Sequence, residues 1–468
     1  MKAKIYSVLL LLAVLLPGCE PEDNVEALPF VAGFERESYK YSDDAPQEIT
    51  LVFSKPAEAA GTIQLKVTPD QSVYGVDFST TPEAVDNLIA LDFTVGQSRV
   101  SFTYHNLMLP YDDADLVKKV QFEVVRVDYA GFSNIQGYTL TQMTFSASLG
   151  AILVSEVGGP NQGNQVFVDL SEEMTTESRR DIWDLGFYGG DHFRVTINGS
   201  IYMAARNLNV TDIDAVTPAS VSGFQSQVAV GTFDPENENY IDAPNGNILE
   251  TAIDEISAND EDNKVYLVNL GYKVGNTIPP AGSVAITGDA RGWKKIRILR
   301  EGEGYRLQYA NLNSTTHQEI SIPKDAAYNF TFFSFDTNQP VLVEPEKAKW
   351  DLCFTVFTNV IAGAGSYGYS DFVLNNLRAG VKVYRVNVSE PTVTFANFTK
   401  ANVNDALLQD DQRVIGADWR DVFSGTAYAD RFYVLKDIDG NYYKIRMLGF
   451  LSEGGERGYP KFEYKLLP

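Results

Sequence analysis

The chain has 468 residues, of which 44% are apolar and 12% aromatic, and its formal net charge is −24. This length exceeds what one hydrophobic core organises, so we expect about three domains, and the many Tyr and Phe residues favour strands. The strong negative charge excludes nucleic acid and anionic lipid as partners that bind through a basic surface.

The first residues are predicted to be an export signal and not part of a fold. Lys2 and Lys4 precede an apolar run, Ile5 to Leu16, that is too short to span a bilayer. Cys19 directly behind this run resembles the lipidated cysteine of bacterial lipoproteins, and an ordinary signal peptide with an unrelated Cys is the alternative. We therefore predict a lipoprotein signal peptide over residues 1–18 and a lipid anchor on Cys19.

Residues 19–28 are predicted to be an acidic linker. Glu20, Glu22 and Asp23 resemble the acidic export signal of surface lipoproteins in the Bacteroidetes, and a solvated linker that faces the periplasm is the alternative. The resemblance implies a lipid-anchored protein on the outer face of the outer membrane.

Residues 29–149 are predicted to form an antiparallel β-sandwich, because short stretches of alternating apolar and polar residues are separated by Gly, Pro and Asp. The predicted strands are Ile49 to Ser54, Gly61 to Pro69, Ser98 to His105, Lys119 to Val127 and Tyr138 to Ser148. "VYGVDFS" and the following "LDFTVGQSRVSFTYH" resemble the Calx-β domain, so we expect a Calx-β-like or Ig-like sandwich. Asp112, Asp113 and Asp115 suit calcium chemically, but a solvated acidic loop is the preferred interpretation and calcium is not expected.

The remainder of the chain contains an internal duplication. "WDLGF" at Trp183 and "WDLCF" at Trp350 lie 167 residues apart, and "VYLVNL" at Val265 and "FYVLKD" at Phe432 have the same separation. "KKIRIL" and "YKIRML" are only 149 residues apart, so the first copy has about eighteen extra residues, within the Gly- and Pro-rich stretch 271–290. This predicts two tandem β-domains over 150–322 and 323–468.

Within these copies we expect both Trp residues and Cys353 to be core residues, with Asp184 and Asp351 on the opposite strand face. Short helices are predicted at 249–257 and 403–410.

The order of motifs resembles the HmuY haem-binding lipoproteins. The motifs are "VFVDLS", "WDLGF", an Asn-Gly turn in "RVTINGS", "VYLVNL" and "KKIRIL", and they recur more weakly in the second copy. The resemblance implies an all-β, lipid-anchored surface protein that binds haem and passes it to a TonB-dependent outer-membrane receptor. It also implies two axial ligands for the haem iron.

The ligands that the resemblance implies are scarce in this sequence. The three His residues are His105, His192 and His317, and only His192 lies near the first copy's Asn-Gly turn. Met203 lies roughly where the family's first ligand is expected, although a Met that fills a core gap is equally consistent. Tyr240 is a candidate phenolate ligand and Arg206 a candidate partner for propionates.

The second copy contains even fewer candidate ligands for haem iron. Residues 355–431 contain neither His nor Met, which excludes bis-axial ligation by those residues there. The Gly- and Tyr-rich "GAGSYGYSDF" (363–372) is interpreted as a flexible loop, with a ligand platform as the alternative. Arg378 and Arg385 are further candidates to pair with acidic groups.

No catalytic motif stands out, so we predict a non-catalytic binder. The first hypothesis is a surface protein that captures haem or a related tetrapyrrole for uptake. The alternative is an accessory or adhesion module that keeps the HmuY fold, has lost haem ligation, and binds another ligand such as a corrinoid or a protein partner.

Overall fold

The structure, a computed structural model, describes residues 30–40, 46–107, 119–130, 133–144, 150–388 and 393–467. The chain divides into two compact units, Met1–Phe145 and Ser146–Pro468. The predicted signal peptide, Cys19, the acidic linker and the Asp112 cluster lie outside the described residues.

The first unit is a β-sandwich, as predicted. Its two five-stranded sheets have the orders β5-β7-β3-β1-β9 and β2-β10-β8-β4-β6. Pairing is antiparallel except for β1 with β9 and β2 with β10. The strands are β1 Phe30–Phe34, β2 Ser38–Lys40, β3 Gln47–Phe53, β4 Gly61–Asp70, β5 Phe78–Thr81, β6 Leu88–Phe93, β7 Arg99–Asn106, β8 Lys119–Tyr129, β9 Ser133–Asn134 and β10 Leu140–Thr144. One core joins the sheets, since Phe102 of β7 lies 4.8 Å from Phe122 of β8 between ring centroids.

The second unit, which contains both repeats, is also built of strands. They are β11 Gly150–Val154, β12 Asn164–Asp169, β13 Met174–Arg179, β14 Leu185–Tyr188, β15 Val195–Ile197, β16 Ala204–Asn207, β17 Val265–Asn269, β18 Tyr272–Val274, β19 Thr287–Ala290, β20 Trp293–Glu301, β21 Gly304–Asn311, β22 Gln318–Ile322, β23 Phe330–Ser334, β24 Gln339–Val341, β25 Leu352–Ile361, β26 Gly365–Asn375, β27 Lys382–Asn387, β28 Arg420–Asp421, β29 Thr426–Ala427, β30 Arg431–Lys436, β31 Tyr442–Leu451 and β32 Arg457–Leu467.

Four main sheets make up this unit. Two belong mainly to one repeat each, with the orders β16-β17-β20-β21-β22 and β11-β32-β31-β30-β27. The other two, β13-β12-β25-β26 and β15-β14-β23-β24, combine strands of both repeats. The hairpin β18-β19 lies within the extra residues of the first copy, which the unequal spacing had located.

The two repeats exchange strands. β12 of the first repeat pairs with β25 of the second, with Phe167 opposite Cys353, and β14 of the first pairs with β23 of the second, with Gly186 opposite Phe332. β11, which precedes the first repeat's motifs, pairs with β32 at the end of the second. The duplication therefore forms one compact unit and not two separate bodies.

Helical structure is sparse among the described residues. α1 (Pro218–Val221) is a single turn, and the other helices are short 3₁₀ segments: Gly159–Asn161, Gly199–Ile201, Gln225–Gln227, Pro235–Tyr240, Asp260–Asp262, Leu377–Ala379, Lys400–Asn402 and Asp405–Leu407.

The prediction of a helix at 249–257 is wrong, and at 403–410 only a 3₁₀ turn forms. In the first segment, backbone N–H groups bond to distant partners. Ala252 donates to Asp242, Asp254 to the hydroxyl of Tyr266, and Ile256 to the carbonyl of Phe193, each at 2.9 Å. These tertiary bonds replace the local bonds that a helix requires.

Candidate functional site

The repeated Trp-Asp-Leu motif forms the junction between the two repeats. The Asp184 carboxylate accepts a hydrogen bond from the N–H of Phe335 (2.6 Å), in the second repeat. Asp351 accepts the equivalent bond from the N–H of Leu170 (2.8 Å), in the first repeat. We expected both carboxylates on the strand face opposite the Trp residues, and both are buried. Each repeat therefore secures the strand that the other contributes.

The two equivalent carboxylates differ in electrostatic surroundings. Asp184 lies 2.5 Å from Nη1 of Arg291, whose side chain is only 4% exposed. Asp351 has the carboxylates Asp437 and Asp169 as its electrostatic neighbours. Burial raises the pKa of Asp351 well above the usual carboxyl range, and Asp437 and Asp169 raise it further. Burial raises the pKa of Asp184 as well, but there the Arg291 guanidinium opposes the rise, so only this copy of the motif pairs its carboxylate with a cation.

The turn after each motif is also duplicated. The Asn198 amide donates to the carbonyls of Arg180 and Trp183 at 2.8 Å, and the Asn376 amide donates to those of Lys347 and Trp350 at 2.9 Å. Both Asn residues are buried, so each pair of bonds satisfies carbonyls that no strand partner reaches.

The two Trp residues pack in the core, as predicted. Trp183 lies 4.7 Å from Phe332 and Trp350 lies 5.1 Å from Phe167, measured between ring centroids, and both contacts are edge-on. Cys353 belongs to the same cluster and is buried, which confirms it as a small core residue. The cluster crosses the repeat junction, since each Trp faces a Phe of the other repeat.

A cavity of about 180 Å³, which we call the junction cavity, lies beside this cluster. Its wall comes from both repeats and includes the two Trp residues, the Asn198 and Asn376 turns and the segment 241–251. Ligand pockets for drug-sized molecules measure ~300–1,000 Å³. This cavity is therefore too small for a tetrapyrrole.

Two carboxyl groups line the junction cavity, the buried Glu344 and the partly buried Asp242, and no sequence pattern marked them. Glu344 accepts hydrogen bonds from the N–H groups of Asn329 (2.9 Å) and Phe330 (3.1 Å). Burial raises the pKa of Glu344 to about 8. Burial also raises the pKa of Asp242 to about 7, although its oxygens accept from the N–H groups of Ile197 and Ala252.

Met203 lies in the wall of the junction cavity and is fully buried. It belongs to the same hydrophobic cluster as Leu185, Phe187 and Tyr305. This is the position of a side chain that fills a core gap, and a haem iron would reach its sulfur only if the core opened.

His192 does not line the junction cavity. Its side chain is half-exposed, and its Nδ1 is 3.6 Å from the Glu255 carboxylate. His105 of the first unit contacts Thr81 (2.8 Å), and His317 contacts Asp214 (3.0 Å). The described structure therefore does not bring two His residues together.

Arg206 and Tyr240, by contrast, lie together. Arg206 donates a hydrogen bond to the Tyr240 hydroxyl (3.3 Å), and its guanidinium stacks 4.0 Å from the centre of the Phe224 ring. Arg206 and Phe224 line a surface groove of about 680 Å³ in the first repeat, formed by residues 206–212, 215, 216, 220 and 224. We call it the Arg206 groove, and its volume lies within the range of small-molecule sites.

The Gly- and Tyr-rich segment of the second repeat is a strand, so the expectation of a flexible loop is wrong. Gly365–Asn375 forms β26, which pairs with β25. Its Ser366 donates backbone and side-chain hydrogen bonds to Asn237 of the first repeat, at 2.5 and 2.8 Å. Tyr202, also of the first repeat, packs against Gly368.

The two other Arg candidates differ from each other. Arg385 pairs with Asp418 at 2.7 Å on the surface, whereas Arg378 lies in the wall of the junction cavity.

The described residues contain no group of three or more His, Cys, Asp or Glu side chains placed to hold a metal ion. Within the same part of the chain, none of the helices has the length and hydrophobicity needed to span a bilayer.

Comparison with known proteins agrees with the duplicated architecture. A family model described as "HmuY protein" matches residues 161–319 and 326–464, which together make up more than half of the chain. The two matched segments correspond to the two repeats. No curated protein matches the chain.

Proposed function

Because the chain belongs to the HmuY family, we propose that it is a non-catalytic surface lipoprotein that binds haem or a related tetrapyrrole for uptake. The observation that carries this proposal is the placement of Arg206 and Phe224 in the wall of a groove of about 680 Å³, with the hydroxyl of Tyr240 hydrogen-bonded to Arg206.

Arg206 in the groove wall and its hydrogen-bond partner Tyr240 suit a haem held by one protein ligand. A phenolate oxygen is an established axial ligand of haem iron, and Tyr240 supplies it. Arg206 is suited to a propionate, because its planar guanidinium presents several N–H donors. The ring of Phe224 stacks on the Arg206 guanidinium and holds it at the groove. The same residues do not fit the bis-axial ligation that the resemblance implies.

The test is a titration of the soluble chain, starting after Cys19, with haemin in both redox states while the Soret band is followed. We expect a saturable shift with one haem per chain. Tyr240→Phe should weaken or alter it, and Tyr272→Phe, at a half-exposed Tyr on the β18-β19 hairpin, is the matched control. Met203→Leu should leave the shift unchanged because this residue is buried. A titration without saturation would refute the proposal.

The second candidate function is an accessory or adhesion module that binds another ligand or a protein partner. The lack of His and Met over 355–431 favours it, because a corrinoid that brings its own axial ligands needs none from the protein. Cobalamin in place of haemin tests this alternative directly.

The remaining assignments are part of the same proposal. We infer a lipid anchor on Cys19, an outer-membrane surface location, delivery to a TonB-dependent receptor and a Calx-β-like first unit. Labelled palmitate should enter the wild-type protein in cells but not Cys19→Ala. Protease added to intact cells should degrade a surface-exposed protein and spare a periplasmic one.

A further inference from the structure

We propose that the junction cavity is a second ligand site, which takes a small aromatic carboxylate about one ring in size. This site is independent of the tetrapyrrole proposal, because a cavity of about 180 Å³ cannot hold a macrocycle.

The size of the cavity sets the size of the ligand. An apolar cavity of ~150 Å³ is known to bind benzene, so about 180 Å³ accommodates one six-membered ring with a small substituent. The wall includes Phe167, Trp183, Phe332 and Trp350. Aromatic rings favour edge-on or offset contacts with another ring, which makes this wall suited to an aromatic ligand.

Buried polar atoms in the wall also point to an occupant. Among the described residues, Nε1 of Trp350 and Oδ1 of Asn375 are buried and have no hydrogen-bond partner. Trp350 is 9% exposed and Asn375 is 2% exposed. Leaving a buried donor or acceptor unpaired costs ~1–3 kcal/mol, so a ligand with a polar substituent gains by satisfying them.

The charge of the ligand follows from Arg378. This residue lines the cavity and is partly buried, and within the described part of the chain its guanidinium makes no hydrogen bond or ion pair. Its electrostatic neighbours are Asp242 and Tyr188. Both Asp242 oxygens are already bonded to backbone N–H groups. The guanidinium is therefore the available donor for a carboxylate, in a bidentate geometry that a planar acid matches.

The site requires the duplication. Trp183 and Asp242 belong to the first repeat, whereas Trp350, Asn375 and Arg378 belong to the second. The cavity exists because the exchanged strands place these residues around one space.

The experiment uses the full soluble chain with benzoate, 4-hydroxybenzoate and toluene as probes, and it measures binding by calorimetry and by tryptophan fluorescence. We expect one site per chain, with both acids bound more tightly than toluene. Arg378→Gln should weaken binding of the acids by about tenfold or more, the usual value of a charged hydrogen bond, and leave toluene unchanged. Arg385→Gln, at the ion-paired surface Arg of the same repeat, is the matched control.

Ala243→Phe, which adds a ring to the cavity wall, should abolish binding of all three probes while the folded state persists by circular dichroism. The proposal is overturned if none of the probes binds, or if Arg378→Gln leaves the affinity for the acids unchanged. A Soret titration of the same variants separates the two proposals, since Arg378→Gln should not alter haemin binding.

Discussion

Asp184 and Asp351 offer a matched test of the junction, because they are equivalent in the duplication but differ in their partners. Burial raises the pKa of both carboxyl groups, but Asp184 pairs with Arg291 (2.5 Å), which opposes the rise, whereas Asp351 faces the carboxylates Asp437 and Asp169, which add to it. Asp184→Asn keeps the shape but leaves Arg291 without its buried counterion. Breaking a buried pair from one side costs ~3–5 kcal/mol. Asp336, 71% exposed and 3.3 Å from Arg291, compensates in part, so we expect a loss of about 3 kcal/mol.

Asp351→Asn should be far milder. An amide oxygen still accepts the N–H of Leu170, and the substitution removes only a charge that burial already disfavours. We expect a loss of about 1 kcal/mol or less in the free energy of unfolding.

The assay is urea unfolding near pH 6, followed by tryptophan fluorescence. All four Trp residues, at 183, 293, 350 and 419, lie in the unit Ser146–Pro468, so the signal reports this unit alone. The double variant Asp184→Asn/Arg291→Gln should recover part of the loss, because no charge is then left buried and unpaired. Equal losses for the two single variants, or a larger one for Asp351→Asn, would refute this account of the junction.

Three further predictions concern stability. The pKa of Glu344 rises from an ordinary 4.5 to about 8 on folding, so its protonated side chain contributes roughly 5 kcal/mol to the free energy of unfolding below pH ~4.5. This contribution should be lost as the pH rises to ~8, and Glu344→Gln should flatten this part of a plot of stability against pH. Lys444→Met should cost about 1–3 kcal/mol in urea unfolding, because its buried ammonium donates to the carbonyls of Phe395 and Phe398, whereas exposed Lys349→Met should change little. Gly271→Ala should lower the melting temperature more than Gly302→Ala. Both glycines have a positive φ, but only at position 271 would an added Cβ collide with the backbone, at the carbonyl oxygen of Ile201.

The strands and the duplication could be predicted from local pattern. Alternation located β3, β4, β7, β8 and β10 within one to four residues, and the 167-residue offset paired the two Trp motifs before any contact was known. Both signals are local, because period-two burial and repeated residues can be read without knowing which strand lies beside which.

The helix expected at 249–257 shows where local pattern fails. Its apolar spacing is helical, yet its N–H groups bond to Asp242, Tyr266 and Phe193, which the sequence places 10 to 63 residues away. Propensity is a weak preference, and tertiary hydrogen bonds of this kind override it.

The sequence by itself determined the strands, the burial of the two Trp residues and the scarcity of axial ligands, because each follows from residue type and spacing. Only the tertiary structure decided that the repeats exchange strands, that Asp184 and Asp351 secure those strands, and that Arg378 and Trp350 line one shared cavity. The physical reason is that strand pairing is non-local. A strand can complete the sheet of its own repeat or that of the other with nearly the same local pattern, and the packing of the whole unit selects between them.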